Sequence, residues 1–157
     1  MTRLAARIRA DLAAVADPTR AAGMQAYMKS TMPYYGVRMP DVRAISKRAF
    51  AEHPIASCDE WQAAVLELWR QAMFREERYV AMELAAQKRH AGYRTPVVLP
   101  LFEEMIVTGA WWDHVDEAAH LVGQMLRSHP KEMRPVMRAW STDANPWKRR
   151  VSIICQL

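Results

Sequence analysis

Apolar residues recur every three or four positions along most of this chain, which is the spacing of amphipathic helices. The first such stripe, Leu4, Ile8, Leu12 and Val15, predicts a helix over residues 2–16. The 157 residues include only 5 glycines, and runs of β-branched residues are few. The pattern therefore predicts an all-α protein.

Several predicted helices begin with a proline that follows a short polar residue. The polar side chain can cap the first turn. Proline is tolerated at the first helical position because the backbone N–H that it lacks would have no partner within the helix. Asp17-Pro18, Thr95-Pro96 and Asn145-Pro146 have this form, and Pro40-Asp41 opens another helix. The segment Met32–Pro40 is predicted to be a loop, because it holds two prolines and a glycine.

The other apolar stripes predict further helices, over residues 59–71, 74–89, 111–128 and 131–140. Helices of about 10–18 residues, paired at a period of roughly 35–45 residues, indicate a HEAT-like helical-repeat solenoid, an α–α superhelix. We expect residues 1–157 to form a single such domain; a globular helical bundle is the alternative. Gly123 lies inside a predicted helix and indicates close packing against a neighbour.

The last residues of the sequence are apolar at Val151, Ile153, Ile154 and Leu157, with no polar tail. The end of a solenoid normally carries a polar capping face. We therefore expect either that the chain is the N-terminal and central part of a longer protein or that the last helix packs against something else.

The segment Trp111–Asp116 (WWDHVD) has the most distinctive pattern of the chain. Trp111 continues the apolar stripe of the following helix, whereas Trp112 is turned about 100° away from it. Asp116 lies one turn beyond Trp112, so the indole and the carboxylate can meet on the flank of the helix. Alternatively, both tryptophans belong to the core, and Asp113 and Asp116 are acids that favour the start of a helix.

An exposed indole beside a carboxylate suits a reaction that involves positive charge. The face of an aromatic ring attracts a cation. A carboxylate in a poorly hydrated site stabilises positive charge as it develops, or it orients a water molecule. The pair at Trp112 and Asp116 therefore predicts a cationic substrate or transition state.

Charge and composition exclude several other classes of function. The formal net charge is +5, which is compatible with a polyanionic partner. The two cysteines form no CxxC pair, and the sequence has no secretory signal and no apolar run of membrane-spanning length, so we expect an intracellular, cytoplasmic protein. The histidines show no metal-binding spacing, and no phosphate-binding loop is present. We therefore expect no metal and no cofactor.

Two basic groups follow the WWDHVD segment. Lys131, Arg134 and Arg138 lie on one face of a predicted helix, opposite its apolar residues. The second group, on the last helix, consists of Lys148, Arg149 and Arg150. Such residues can follow a phosphate backbone, although a solvated helix face gives the same pattern. Arg150 lies at the edge of a buried stripe, where its guanidinium could bind a phosphate with two hydrogen bonds.

The WWDxVD element resembles the AlkD-type family of DNA alkylation repair proteins, which are alkylpurine DNA glycosylases built from HEAT-like repeats. The resemblance extends along the whole chain, to Tyr27-Met28-Lys29, Gly36-Val37-Arg38-x-Pro40, Glu67-Leu68-Trp69, Arg75-Glu76, His129-Pro130 and Asn145-x-Trp147-x-x-Arg150. The WWDxVD element is the most specific of these matches.

The resemblance implies roles for individual residues. Trp112 corresponds to an active-site tryptophan of the family, Asp116 to its catalytic aspartate and Arg150 to an arginine near the lesion. Tyr27, Arg38 and the loop around Pro40 resemble positions that contact DNA. A further active-site tryptophan of the family belongs to a C-terminal part that lies past residue 157.

The implied activity is hydrolysis of the N-glycosidic bond of purines alkylated at N3 or N7, in double-stranded DNA, by a monomer that needs no membrane. Enzymes that act on a base generally flip it out of the helix; the resemblance implies that this family instead holds the lesion within the duplex. Two other functions fit the residues. One is a non-catalytic protein that binds damaged DNA, and the other is a protein-binding helical scaffold with Trp112 as an interface hot spot.

Overall fold

The computed structural model describes residues 1–157, and all of its regular elements are helical. This confirms the predicted all-α class, and the succession of helices is consistent with a helical-repeat fold. The chain divides into two compact units, Met1–Ala85 and Ala86–Leu157. None of the helices is both long enough and apolar enough to cross a membrane.

The first unit contains five helices around a core that includes two tryptophans. Trp61 and Trp69 are almost completely buried, and the indole N–H of Trp61 donates to the backbone carbonyl of Leu84 at 3.1 Å. The helices are α1 (Arg3–Ala14), α2 (Pro18–Met28), α3 (Met39–Glu52), α4 (Cys58–Arg70) and α5 (Arg75–Ala86), the last of which ends at the unit boundary.

A buried carboxylate fixes the loop between α2 and α3. Glu76 on α5 is fully buried, and its oxygens accept the backbone N–H groups of Tyr35, Gly36 and Val37 at 2.8–3.0 Å. Gly36 has φ of +84°, and a side chain there would collide with the backbone of Asp17. The loop therefore depends on both a glycine and a charged acceptor, and it delivers the chain to the start of α3.

The second unit begins with two short 3-10 segments, at Lys88–Tyr93 and Pro96–Val98. Four helices follow: α6 (Leu99–Gly109), α7 (Trp112–Ser128), α8 (Pro130–Ser141) and α9 (Pro146–Ile154). The central helices are α7 and α9, because each of them contacts the three other helices of the unit.

Gly123 of α7 explains how closely two of these helices approach. A side chain at this position would collide with the backbone carbonyl oxygen of Cys155, at the end of α9. The predicted close packing at Gly123 is therefore confirmed, and it fixes α9 against the middle of α7.

The predicted caps have mixed outcomes. Asp17 accepts the N–H of Arg20, and Asn145 accepts those of Trp147 and Lys148, so both caps are confirmed. The Thr95 side chain caps nothing, because the chain first makes a 3-10 turn there and α6 begins only at Leu99.

Three predicted helix boundaries differ by a few residues from those in the structure. Val15 is 51% exposed, because α1 ends at Ala14. The fifth helix ends at Ala86 rather than at residue 89, and a 3-10 segment follows it. Trp111 lies just outside α7, in an extended conformation with φ −156° and ψ 152°.

Candidate functional site

Trp111 anchors the start of α7 from the residue before the helix. Its ring lies 6.1 Å from that of Trp147 on α9, centroid to centroid, at an interplanar angle of 58°. Its indole Nε1 is buried and has no hydrogen-bond partner in the chain. Trp111 thus packs inward, as predicted, although it does so from the N-cap position.

Trp112, the first residue of α7, faces solvent. It is 44% exposed, which is unusual for a large hydrophobic residue. Asp116 follows one helical turn later and is partly exposed. The alternative in which both tryptophans are core residues is therefore wrong for Trp112, and α7 presents an indole and a carboxylate on its solvent side.

Asp116 forms a two-pronged ion pair with Arg150 of α9. Nε of Arg150 donates to Oδ1 and Nη2 donates to Oδ2, both at 2.7 Å. Hydrogen bonding to Asp116 raises the pKa of Arg150, although partial burial opposes this shift. The side chains remain 43% and 38% exposed, so the pair is accessible to a ligand. The guanidinium fixes the plane of the carboxylate, because both of its oxygens are held.

The other acid of the segment has a different environment. The side chain of Asp113 is only 10% exposed and lies in the first turn of α7, 3.8 Å from Nδ1 of the buried His114. This agrees with the prediction that Asp113 is a charge that favours the helix start. Of the two acids, Asp116 is the one available to a substrate.

A cavity of about 390 Å³ lies beside the Asp116–Arg150 pair. Besides these two residues, its lining consists of His120 and Arg127 of α7, Ile154 of α9, and Cys155 and Leu157 after that helix. Neither His120 nor Arg127 was identified from the sequence. The signal was present, because His120 and Arg127 follow Asp116 by four and eleven positions and so share its helix face.

A second groove, of about 700 Å³, adjoins this cavity. Its lining includes Arg127, Arg134 and Arg138 together with the apolar Leu126, Met137 and Ile153. Arg127 lines both spaces. Lys131, Arg134 and Arg138 are all exposed on α8, and Met133 and Trp140 are buried on its other side, so the predicted basic face exists.

The basic group on α9 does not act as one surface. The Lys148 ammonium lies 2.7 Å from carboxylate oxygens of both Glu103 and Asp143, and its side chain is only 14% exposed. These two hydrogen bonds, that to Asp143 first, raise the pKa of Lys148. Arg149 donates to the carbonyl oxygens of Asp143 and Ala144. Only Arg150 reaches Asp116, and DNA contacts by Lys148 and Arg149 stay predictions.

Three predicted DNA-contacting residues belong to the first unit. Tyr27, near the end of α2, is 78% exposed. Arg38 is the exposed N-cap of α3 and its side chain makes no capping hydrogen bond. Pro40 is exposed in the first turn of that helix. All three side chains are free to meet a ligand. The structure contains no cluster of three or more histidine, cysteine or acidic side chains that could hold a metal ion.

Comparison with known proteins identifies the family. The family model described as DNA alkylation repair enzyme matches residues 8–157. A solved structure, a predicted DNA alkylation repair enzyme from Enterococcus faecalis, is 27% identical and superposes with a TM-score of 0.78 over 90% of this chain. The chain spans 65% of the length of that relative. No curated protein matches significantly. Because the family model covers nearly all of the sequence, the chain belongs to the DNA alkylation repair enzyme family.

Proposed function

We propose that this protein is a DNA glycosylase that hydrolyses the N-glycosidic bond of cationic purines, alkylated at N3 or N7, in double-stranded DNA. The observation that carries the proposal is the solvent-facing pair of Trp112 and Asp116, one helical turn apart, with the Asp116 carboxylate fixed by Arg150. Membership of the repair family supports an alkylated DNA substrate.

The chemistry of an alkylated purine matches these groups. Alkylation at N3 or N7 makes the purine a cation, so the base takes the bonding electron pair and leaves neutral, without a general acid. Breaking the bond between C1′ and the base nitrogen leaves positive charge on the deoxyribose, as in other glycoside cleavages. Asp116 stabilises that charge and orients the water that adds to C1′. As it adds, the water loses one proton, to solvent or to Asp116, and its other proton stays on the new hydroxyl group.

Trp112 and Arg150 position the reacting groups. The indole face of Trp112 packs against the sugar and attracts the cationic base. Arg150 uses Nε and one Nη2 hydrogen on Asp116. A guanidinium has five N–H groups, so Arg150 retains donors for a DNA phosphate. One side chain can then hold the carboxylate and the backbone together, which places the sugar beside Asp116.

A second candidate function is non-catalytic recognition of damaged DNA. The observation that favours it is that both oxygens of Asp116 already accept hydrogen bonds from Arg150. If Arg150 does not leave a lone pair accessible, Asp116 cannot assist cleavage, while the basic groove on α8 still binds duplex.

Release of free base from duplex DNA separates these functions. We expect the protein to release N7-methylguanine or N3-methyladenine from a methylated duplex faster than the spontaneous rate. Tight binding to that duplex without faster release would support the non-catalytic function instead. Absence of any salt-sensitive binding would leave a protein-binding scaffold as the remaining explanation.

A further inference from the structure

Two cationic or protonatable side chains extend the candidate site along α7. His120 and Arg127 line the same cavity as Asp116 and Arg150. They lie four and eleven residues beyond Asp116, so all three α7 residues share one face of the helix. The cavity wall is therefore rich in hydrogen-bond donors.

These donors are not committed within the chain. His120 and Arg127 make no hydrogen bond and no ion pair with another side chain. Asp116 has the only acidic side chain that lines the cavity, and both of its oxygens accept hydrogen bonds from Arg150. The α-carboxylate of Leu157 is the other acidic group of the lining residues. By contrast, the Lys148 ammonium is neutralised by two carboxylates. An anion beside His120 and Arg127 would thus meet donors that have no partner within the chain.

The Arg127 guanidinium lies close to the point where α7 and the end of α9 meet. Gly123, one turn before Arg127, is in such close contact with the carbonyl of Cys155 that no side chain fits between them. Nη1 of Arg127 lies 3.5 Å from the point where that side chain would begin, so the guanidinium folds back towards α9. Burial raises the pKa of the Cys155 thiol, and the charge of Arg127 partly offsets this shift.

We propose that Arg127 and His120 form a binding subsite for a phosphate of the DNA backbone, next to the Asp116–Arg150 pair. The inference rests on the proposed action on duplex DNA. A guanidinium binds phosphate oxygens with two parallel hydrogen bonds, and an imidazole N–H adds a third. Because Arg127 also lines the groove of Arg134 and Arg138, the subsite connects Arg150 to the basic face of α8.

Arg127 also has a structural role that the test must separate. It lies in the last turn of α7, where a cation stabilises the negative end of the helix dipole. This role alone predicts a lower melting temperature for Arg127→Gln and unchanged DNA affinity. Arg127→Lys keeps the charge at the helix end but loses the two-pronged geometry.

The test uses unmodified duplex, which requires no base release. We expect Arg127→Gln to weaken binding about tenfold at low salt and to reduce the slope of log K against log salt concentration by about 1. Arg127→Lys should retain the slope and bind with intermediate affinity. Arg3→Gln, which removes an exposed charge from α1, is the matched control and should leave the slope unchanged.

His120 is tested by substitution. His120→Ala removes the imidazole from the cavity wall and should weaken duplex binding severalfold at low salt. His53→Ala, just after α3, is the control.

The outcomes distinguish the subsite from the proposed function. If Arg127→Gln and His120→Ala bind duplex as tightly as the parent does, and the salt slope is unchanged, the proposed subsite is wrong although the protein binds DNA. If the parent shows no salt-dependent duplex binding, the proposed function fails and the subsite fails with it.

Discussion

At the scale of single residues, Gly36 is a position where the backbone dictates the amino acid. Its φ is +84°, and a side chain would meet the backbone of Asp17 and Ala21. We expect Gly36→Ala to lower the free energy of unfolding by at least about 1–3 kcal/mol. Gly23, within α2, has no atom near its missing side chain. Gly23→Ala should therefore stabilise the protein by about 0.5–1 kcal/mol. Denaturant unfolding of both variants checks this contrast, and equal losses would contradict it.

The geometry of Arg150 gives a second residue-scale prediction. Arg150→Lys keeps a positive charge beside Asp116 but cannot hold both of its oxygens. We expect base release to slow by about tenfold to hundredfold, because the carboxylate loses its fixed orientation. The control is Arg43→Lys, since Arg43 forms another exposed ion pair, with Glu83 at 3.1 Å. If both variants release base at the parental rate, Arg150 does not position Asp116.

At the scale of elements, the loop between α2 and α3 depends on α5. The buried Glu76 carboxylate accepts three backbone N–H groups of that loop. In Glu76→Gln an amide NH₂ would face backbone donors, so we expect a loss of about 3 kcal/mol in stability. Glu83→Gln, on the same helix, breaks only an exposed ion pair and should change stability by less than about 1 kcal/mol. Thermal unfolding compares them, and a Glu76→Gln protein as stable as Glu83→Gln would refute this role.

The elements also show what the sequence could predict. Apolar stripes located the helices, and the Asp17 and Asn145 caps were predicted correctly because capping is a local interaction. Thr95 has the same local pattern but caps nothing, because a 3-10 turn follows it. Helix α7 begins one residue later than predicted. Trp111 adopts an extended conformation and packs against Trp147, which is remote in sequence.

At the scale of the whole molecule, the candidate site depends on contacts that periodicity does not encode. The exposure of Trp112 followed from its position relative to the apolar stripe. The pairing of Asp116 with Arg150, 34 residues away, requires α9 to pack on α7. Lys148 was predicted to belong to a free basic surface. Its ammonium instead pairs with Glu103, 45 residues away, and such a contact cannot be read from the spacing of residues within one helix.

The basic face of α8 carries a prediction for the whole molecule. Charge reversal in the double variant Arg134→Glu, Arg138→Glu should weaken binding to any duplex sequence to the same extent, because phosphate contacts carry no sequence information. The double variant Arg3→Glu, Lys88→Glu makes the same change in net charge at other exposed positions and is the control. Equal affinities at low salt for the two double variants would contradict a DNA-binding role of this face.

If the Asp116 carboxylate stabilises positive charge during base release, Asp116→Asn should slow that release. The substitution keeps the shape and removes the charge. Loss of one such group typically slows the reaction by on the order of 10²–10³. DNA binding should fall little or even rise, because the carboxylate repels phosphates and Arg150 becomes free.

The measurement is the single-turnover rate of alkylpurine release from methylated duplex by the parent, by Asp116→Asn and by Asp113→Asn. Asp113 lies in the first turn of the same helix and is mostly buried, so its variant controls for damage to the helix start. We expect Asp116→Asn to lose release while Asp113→Asn retains near-parental release. Release at the parental rate by Asp116→Asn, with loss only in Asp113→Asn, would contradict the assignment of the catalytic acid.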